Sequence, residues 1–196
     1  MSDDHDDAKR ARQVRALETL LEERELVDAR GVDQAVEAYL ARATPANGAR
    51  IVARAWVDAG FASRLGTDAN TAIAEVGATM RGGIQEQRLR VVANTEQAHN
   101  VVTCTLCSCY PVALIGPSPS WYKSEAYRSR IVREPRVVLA EFGLELAADV
   151  EITVWDSTSE SRYLVLPRRP AGTDTLSEVE LAGLVTRNGM IGTAAL

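Results

Sequence analysis

The sequence predicts an α+β fold, with a helical N-terminal arm followed by a mixed α/β layered domain that carries a metal-claw loop. Three observations predict it. Apolar residues recur at helical spacing through most of the first 80 residues. The period then changes to short β-branched runs interleaved with further helical segments. All three cysteines of the 196-residue chain fall within six positions, "CTLCSC", Cys104 to Cys109. We place the boundary at residue 80, with 1–80 as the arm and 81–196 as the α+β metal-binding catalytic domain.

Taken in order, the first ten residues, "MSDDHDDAKR", are polar and acidic and are expected to be irregular. Next, "ARQVRALETLLEERELV" sets Val14, Leu17, Leu20 and Leu21 on one helical face, and "VDQAVEAYLARA" does the same with Val32, Val36, Tyr39 and Leu40. "TPANG" at 44–48 reads as a loop, "ARIVARAWVDAGFASRL" as one amphipathic helix and "DANTAIAEVG" as another. "RLRVVAN" and "HNVVTC" read as strands leading into the cysteine loop. Beyond it, "PRVVLAEFG" puts Pro135 at a helix start and Gly143 past its end. "VEITVWD" and "RYLVLP" are two more strands. "SEVELAGLVTRNG" is a helix with Ser177 and Glu180 spaced as a capping box and Gly189 closing it.

Composition narrows the function. Hydrophobic residues make up 46% and charged residues 25%, which is ordinary for a soluble globular protein. The net charge of −5 gives no nucleic-acid footprint, and the basic stretch "KRARQVR" reads as a solvated helix face. No apolar run is long enough to span a bilayer, and the acidic start has no signal-peptide core, so a cytoplasmic protein without a membrane partner is expected. In a reducing compartment, clustered thiols point to metal or redox chemistry.

Cys104, Cys107 and Cys109 are close enough in sequence to hold one metal ion. Structural zinc takes four ligands, and here only His99 offers itself as a fourth. The spacing allows another solution. If Cys107 and Cys109 bind the same ion, the backbone between them bends tightly around it and the amide nitrogens of Ser108 and Cys109 face the metal. Amide nitrogens and thiolates together form a strong ligand field suited to trivalent cobalt or iron, with one position open for Lewis-acid chemistry. A non-catalytic metal-binding or redox module remains the alternative from a different class.

Around this loop, "HNVVTCTLCSCYP", "WYKSEAYRSR", "VLAEFGLEL", "VWDSTSESRYLVLPRRPAGT" and "LVTRNGMIGTA" resemble the alpha subunit of nitrile hydratase, from about residue 15 to the end. The resemblance implies a non-corrin metal enzyme that hydrates R–CN to R–CONH2. Thr105 implies the cobalt type, with cobalt(III) favoured over iron(III). It implies metal ligation by Cys104, Cys107, Ser108 and Cys109, Cys107 as sulfinate, Cys109 as sulfenate and catalytic, and Gln85 as a second catalytic residue. Asp156, Glu160 and Arg162 match a polar stretch that supports the site or the subunit interface. Trp121 and Tyr122 are candidates for a pocket or for the core. The expected partners are a beta-type subunit, an activator protein that loads cobalt, and a small-molecule nitrile. The gamma subunit of thiocyanate hydrolase shares the pattern and is the nearest rival. One departure stands out: Val112 replaces a tryptophan that many family members carry after Cys-Tyr-Pro. Valine leaves room, which predicts a bulky substrate such as the nucleoside nitrile toyocamycin, on which one enzyme of the family acts.

Overall fold

A computed structural model describes residues 3–81 and 86–196. The chain divides into two compact units, one up to Arg42 and one from Ala43 to Leu196.

The first unit holds α1 (Asp3–Glu23) and α2 (Ala29–Arg42). The acidic start expected to be irregular is helical from Asp3. α1 ends with Glu25 at φ 56, its amide bonded to Glu22 O and that of Leu26 to Leu21 O. This is the left-handed stop in which glycine is usual. Asp28 then opens α2, accepting from the Arg30 amide through Oδ1.

The second unit begins with α3 (Pro45–Val57), α4 (Ala59–Thr67) and α5 (Ala69–Ala74). Two sequence expectations are corrected here. "TPANG" is not a loop: Thr44 is the N-cap and Pro45 takes the first helical position, where its missing N–H costs nothing. The segment 49–65 is not one helix either. Asp58 ends α3 and caps α4, its Oδ1 accepting from the Phe61 amide at 2.9 Å.

β1 (Arg88–Ala93) and β2 (Ala98–Thr103) follow, then the cysteine loop and the short helices α6 (Val112–Ile115), α7 (Ser120–Lys123), α8 (Glu125–Ile131) and α9 (Pro135–Glu141). β3 (Glu151–Asp156) and β4 (Ser161–Leu166) complete two two-stranded parallel sheets, β1 with β4 and β2 with β3. In register, Thr103 faces Asp156 and Arg88 faces Ser161. Only residues 157–160 join β3 to β4, so the last residues of β2 and β3 lie near the first residues of β1 and β4. That shared end carries the cysteines.

The chain closes with α10 (Glu178–Leu184) and α11 (Arg187–Ile191). The capping box of Ser177 and Glu180 is present. Gly189 does not end that helix: Val185 does, and Thr186 caps a new one by accepting from the Gly189 amide at 3.0 Å. Gly192 stops α11 at φ +91 against β2. A Cβ there would meet Asn100 O at 2.0 Å, so any other residue would push the helix off the strand.

The core is built from Ile51 and Val52 of α3, Phe61 and Leu65 of α4, Ile73, Leu114, Ile115, Tyr122, Ile131, Leu139 and Leu164. α6 and α10 pack on α3. Among the described residues no helix is long and apolar enough to cross a membrane.

Candidate metal centre

Where β2 ends, the chain turns sharply and brings three sulfurs together. Cys104 follows Thr103 directly and is fully buried, Cys109 is half-buried and Cys107 is exposed. The Sγ atoms lie 3.8 Å apart for Cys104 and Cys107 and 3.1 Å for Cys107 and Cys109, and all three fall within 4.8 Å of one another. The turn depends on Ser108, which adopts φ 78, a left-handed conformation that a non-glycine residue holds only when its surroundings enforce it.

Hydrogen bonds from three other elements enforce it. Asp156, at the end of β3, accepts from the Thr105 amide at 2.9 Å and from Thr105 Oγ1 at 2.5 Å. Arg128 of α8 donates to Thr105 O at 3.4 Å. Tyr122 of α7, fully buried, donates to Cys109 O at 2.9 Å. Tyr122 stands in an aromatic cluster with Tyr110, Trp121 and Tyr127 at ring separations of 4.9–6.0 Å, and Tyr127 OH donates to Val102 O at 2.8 Å on the strand before the loop. Trp121 and Tyr122 therefore belong to the packing that supports the loop.

The three thiols are not equivalent. Burial opposes ionisation of Cys104, but the amides of Cys107, Cys109 and Leu106 and the Cys107 thiol all face its sulfur and bring its pKa down to about 7. Burial pushes Cys109 up to about 12, reinforced by the Cys107 thiol and opposed by the Arg162 guanidinium. One buried sulfur is thus prepared as a thiolate by backbone amides.

This donor set fits a metal. Three sulfurs sit on one tight turn, and no histidine or carboxylate joins them among the described residues. Soft sulfur ligands select late transition ions over calcium or magnesium. His99, the one candidate for a fourth ligand, is occupied elsewhere. Its Nε2 meets Gly192 O at 2.7 Å and its Nδ1 meets Asn94 Nδ2 at 3.2 Å. A carbonyl only accepts, so Nε2 carries the proton and Nδ1 accepts from the amide. Burial lowers the His99 pKa, which agrees with that neutral ring. Its role is to tie β2 to the end of α11.

Of the other residues singled out in the sequence, Arg162 is buried on β4, donating to Thr158 O on the β3–β4 connection, and Glu160 is exposed on that connection. Val112 is half-buried at the start of α6. Gln85 lies outside the described residues. Sequence reasoning missed Arg128 as a support of the loop, and no spacing signal marks it. A cavity of about 390 Å³ opens at the other end of the strands, lined by Asn94, His99, Arg168 and the last three residues, and is separate from the cysteines.

Comparison with known proteins agrees with this geometry. The sequence profile of the nitrile hydratase alpha chain matches residues 8–194. The chain is 50% identical over 182 residues to the low-molecular weight cobalt-containing nitrile hydratase subunit alpha of Rhodococcus rhodochrous, covering 93% of this chain and 86% of that one. It is 44% identical over 164 residues to the thiocyanate hydrolase subunit gamma of Thiobacillus thioparus, covering 80% and 68%. In structure it is similar to a double mutant of the Fe-type nitrile hydratase from Comamonas testosteroni Ni1, with a TM-score of 0.88 at 40% identity over 96% of this chain and 91% of that one.

Proposed function

Because this chain belongs to the nitrile hydratase alpha-chain family, we propose that it is the metal-bearing subunit of a cobalt nitrile hydratase. The reaction adds water across R–C≡N, oxygen to carbon and hydrogen to nitrogen, giving the amide. The observation that carries this reading is the convergence of the Cys104, Cys107 and Cys109 sulfurs within 4.8 Å on a turn centred at Ser108.

The ligands in this reading are the three thiolates with the backbone nitrogens of Ser108 and Cys109. Cobalt is favoured over iron by Thr105 and by the 50% identity to a cobalt-containing relative. When bound, the trivalent ion supplies a Lewis acid that polarises the nitrile. The chain's own residues do the rest. Cys104 anchors the loop from the core. Asp156, Arg128 and Tyr122 fix the loop's carbonyls and amide, so little reorganisation is left for the moment of reaction. In this reading an external oxidant of the dioxygen or peroxide class would oxidise the metal-held thiolates, Cys107 by four electrons to a sulfinate and Cys109 by two to a sulfenate. Cys109 and Gln85 are the catalytic residues in this reading. Val112, smaller than tryptophan and half-buried, leaves space for a large nitrile such as a nucleoside nitrile.

A beta-type subunit completes the site over the exposed face of Cys107, and an activator protein loads the metal in the cytoplasm. The test is cobalt content and intact mass of the chain, purified with its neighbouring subunits from cobalt-fed cells, together with turnover of an organic nitrile. One cobalt per chain, three added oxygens and amide formation support the reading. Zinc on unmodified thiols defeats it. The 44% identity to thiocyanate hydrolase gamma supports a second reading, which gains the field if thiocyanate turns over and nitriles do not.

A further inference from the structure

We propose that the cavity at the carboxyl ends of β1 and β4 is a second small-molecule site of this chain, which takes a monocarboxylate with a compact apolar body and holds the carboxylate on Arg169.

The strands place this site. Each of the two parallel sheets has its own carboxyl edge. That of β2 and β3 carries the cysteines. That of β1 and β4 opens into the cavity, which is bordered by Asn94, Thr95 and Glu96 directly after β1 and by Pro167, Arg168 and Arg169 directly after β4. Ligand sites of parallel sheets gather beyond the carboxyl ends of the strands, so the metal centre uses one such edge and leaves the other unused. The volume of about 390 Å³ is at the small end of the roughly 300–1,000 Å³ typical of small-molecule sites.

The lining divides by chemistry. Leu144, Leu146, Val150 and Pro167 give it an apolar wall. Most of its polar groups are already spent. Asn94 Oδ1 accepts from the Asn100 amide at 2.8 Å, and His99 is bonded through both ring nitrogens. Arg168 donates to Glu96 Oε1 at 2.9 Å. Two groups are not spent. Arg169 is half-buried and uses Nε and Nη2 on Thr173, at 3.1 Å to Oγ1 and 2.6 Å to O. Those bonds close the turn at 169–173 and leave Nη1 without a partner among the described residues. No carboxylate among the described residues lies within 4.0 Å of this guanidinium. Thr95 Oγ1 accepts from the amides of Gln97 and Ala98 at 3.2 and 3.0 Å and still has its own proton to donate.

A guanidinium drawn partly out of water without a counter-anion is costly, so Arg169 marks the place where an anion belongs. With Arg168 offset by Glu96 and His99 neutral, one positive side chain remains on the lining. One positive charge matches a single carboxylate better than a phosphate dianion. A carboxylate accepts a strong, charge-assisted bond from a guanidinium, and an apolar body attached to it covers the leucines and Val150.

The probe is benzoate, titrated by calorimetry into the whole heteromer from cobalt-fed cells, with benzyl alcohol as its uncharged analogue. Arg169→Gln removes the charge and keeps an amide donor for the Thr173 turn. Val150→Asp sets a carboxylate on the apolar wall and leaves untouched the Val150 carbonyl to which Arg136 donates. Circular dichroism and co-elution with the partner subunit show which variants are folded. The expected result is one benzoate per chain, an unchanged visible absorption band, and binding at least about tenfold weaker in both variants, the order of one lost charge-assisted pair. Benzyl alcohol is expected to bind wild type more weakly than benzoate does, and to bind Arg169→Gln no worse than wild type. Should Arg169→Gln misfold, Val150→Asp decides. The absence of saturable binding at millimolar benzoate overturns the proposal, and so does an unchanged affinity in either folded variant. Benzoate that shifts the cobalt band and binds both variants alike sits at the metal centre and overturns it too. Because the cavity is separate from the cysteines, the comparison of variants decides the proposal equally in a preparation without cobalt, where the metal-centre reading has failed.

Discussion

Asp156 and Thr105 are separated by 51 residues yet joined by two hydrogen bonds, the Thr105 amide to Oδ1 at 2.9 Å and Thr105 Oγ1 to Oδ2 at 2.5 Å. The strand register makes this possible: Asp156 faces Thr103, and Thr105 lies two residues past it. A carboxylate accepting both bonds sets the direction in which the chain leaves β2, and therefore where Cys107 and Cys109 can reach. We expect Asp156→Ala to hold cobalt about tenfold more weakly than wild type. It would lose only about 1 kcal/mol of stability, because the pair is exposed. Thr105→Ser should keep wild-type retention and Thr105→Val should not. Cobalt retained after dialysis, set beside urea unfolding, checks both.

Tyr122 supports the other end of the loop from below. Its hydroxyl is the donor to Cys109 O, and the side chain is fully buried. Tyr122→Phe keeps the ring and its edge contact with Tyr110 at 4.9 Å but leaves the carbonyl without that donor. We expect a loss of about 1–3 kcal/mol in unfolding free energy. The urea midpoint should fall at an unchanged slope, since the same surface is exposed on unfolding. A midpoint equal to wild type would remove Tyr122 from the support of the loop.

His99 makes stability depend on pH. Burial lowers its pKa in the folded chain below the ordinary 6.5, so the folded state favours the neutral ring that bridges Asn94 and Gly192. A group with a depressed folded pKa contributes stability that is present above the unfolded value. That contribution is lost as pH falls through it and on to the folded value. Wild type should therefore lose melting temperature more steeply than His99→Gln as pH falls below the ordinary histidine value of 6.5. The same variant should carry wild-type cobalt, because both ring nitrogens are committed to protein partners.

Much of this fold is legible in the sequence where one local rule governs. The four strands follow β-branched runs, and the box at Ser177 and Glu180 marks α10. The misread places are those where a polar side chain overrides periodicity. Asp58 divides an apolar pattern that reads as one helix, and Thr186 starts a new helix where the sequence pattern reads one helix closed by Gly189. The short helices α6, α7 and α8 span four to seven residues each, too few for a helical period to show. The cysteines of the candidate site are visible because they are adjacent in the chain. Their supports are not, since Tyr122, Arg128 and Asp156 reach the loop through pairings 13 to 51 residues long that only the packed structure reveals.

Val112 offers the sharpest test of substrate size. It opens α6 three residues after Cys109, half-buried, with its amide bonded to Tyr110 O at 2.9 Å and its carbonyl to the Gly116 amide. Backbone at this position is therefore fixed by the loop and the helix together, and changing the side chain changes mainly the space beside it. Tryptophan here adds bulk without new charge, and a pocket discriminates such bulk by about 10-fold or more in kcat/KM. Val112→Trp should lose at least that factor on a nucleoside-sized nitrile while keeping its rate on acrylonitrile. Competition between the two nitriles in one reaction, with wild type and variant at equal cobalt content, measures it directly. Equal loss on both would mean that the substitution disturbs the loop and that Val112 does not set the size of the substrate.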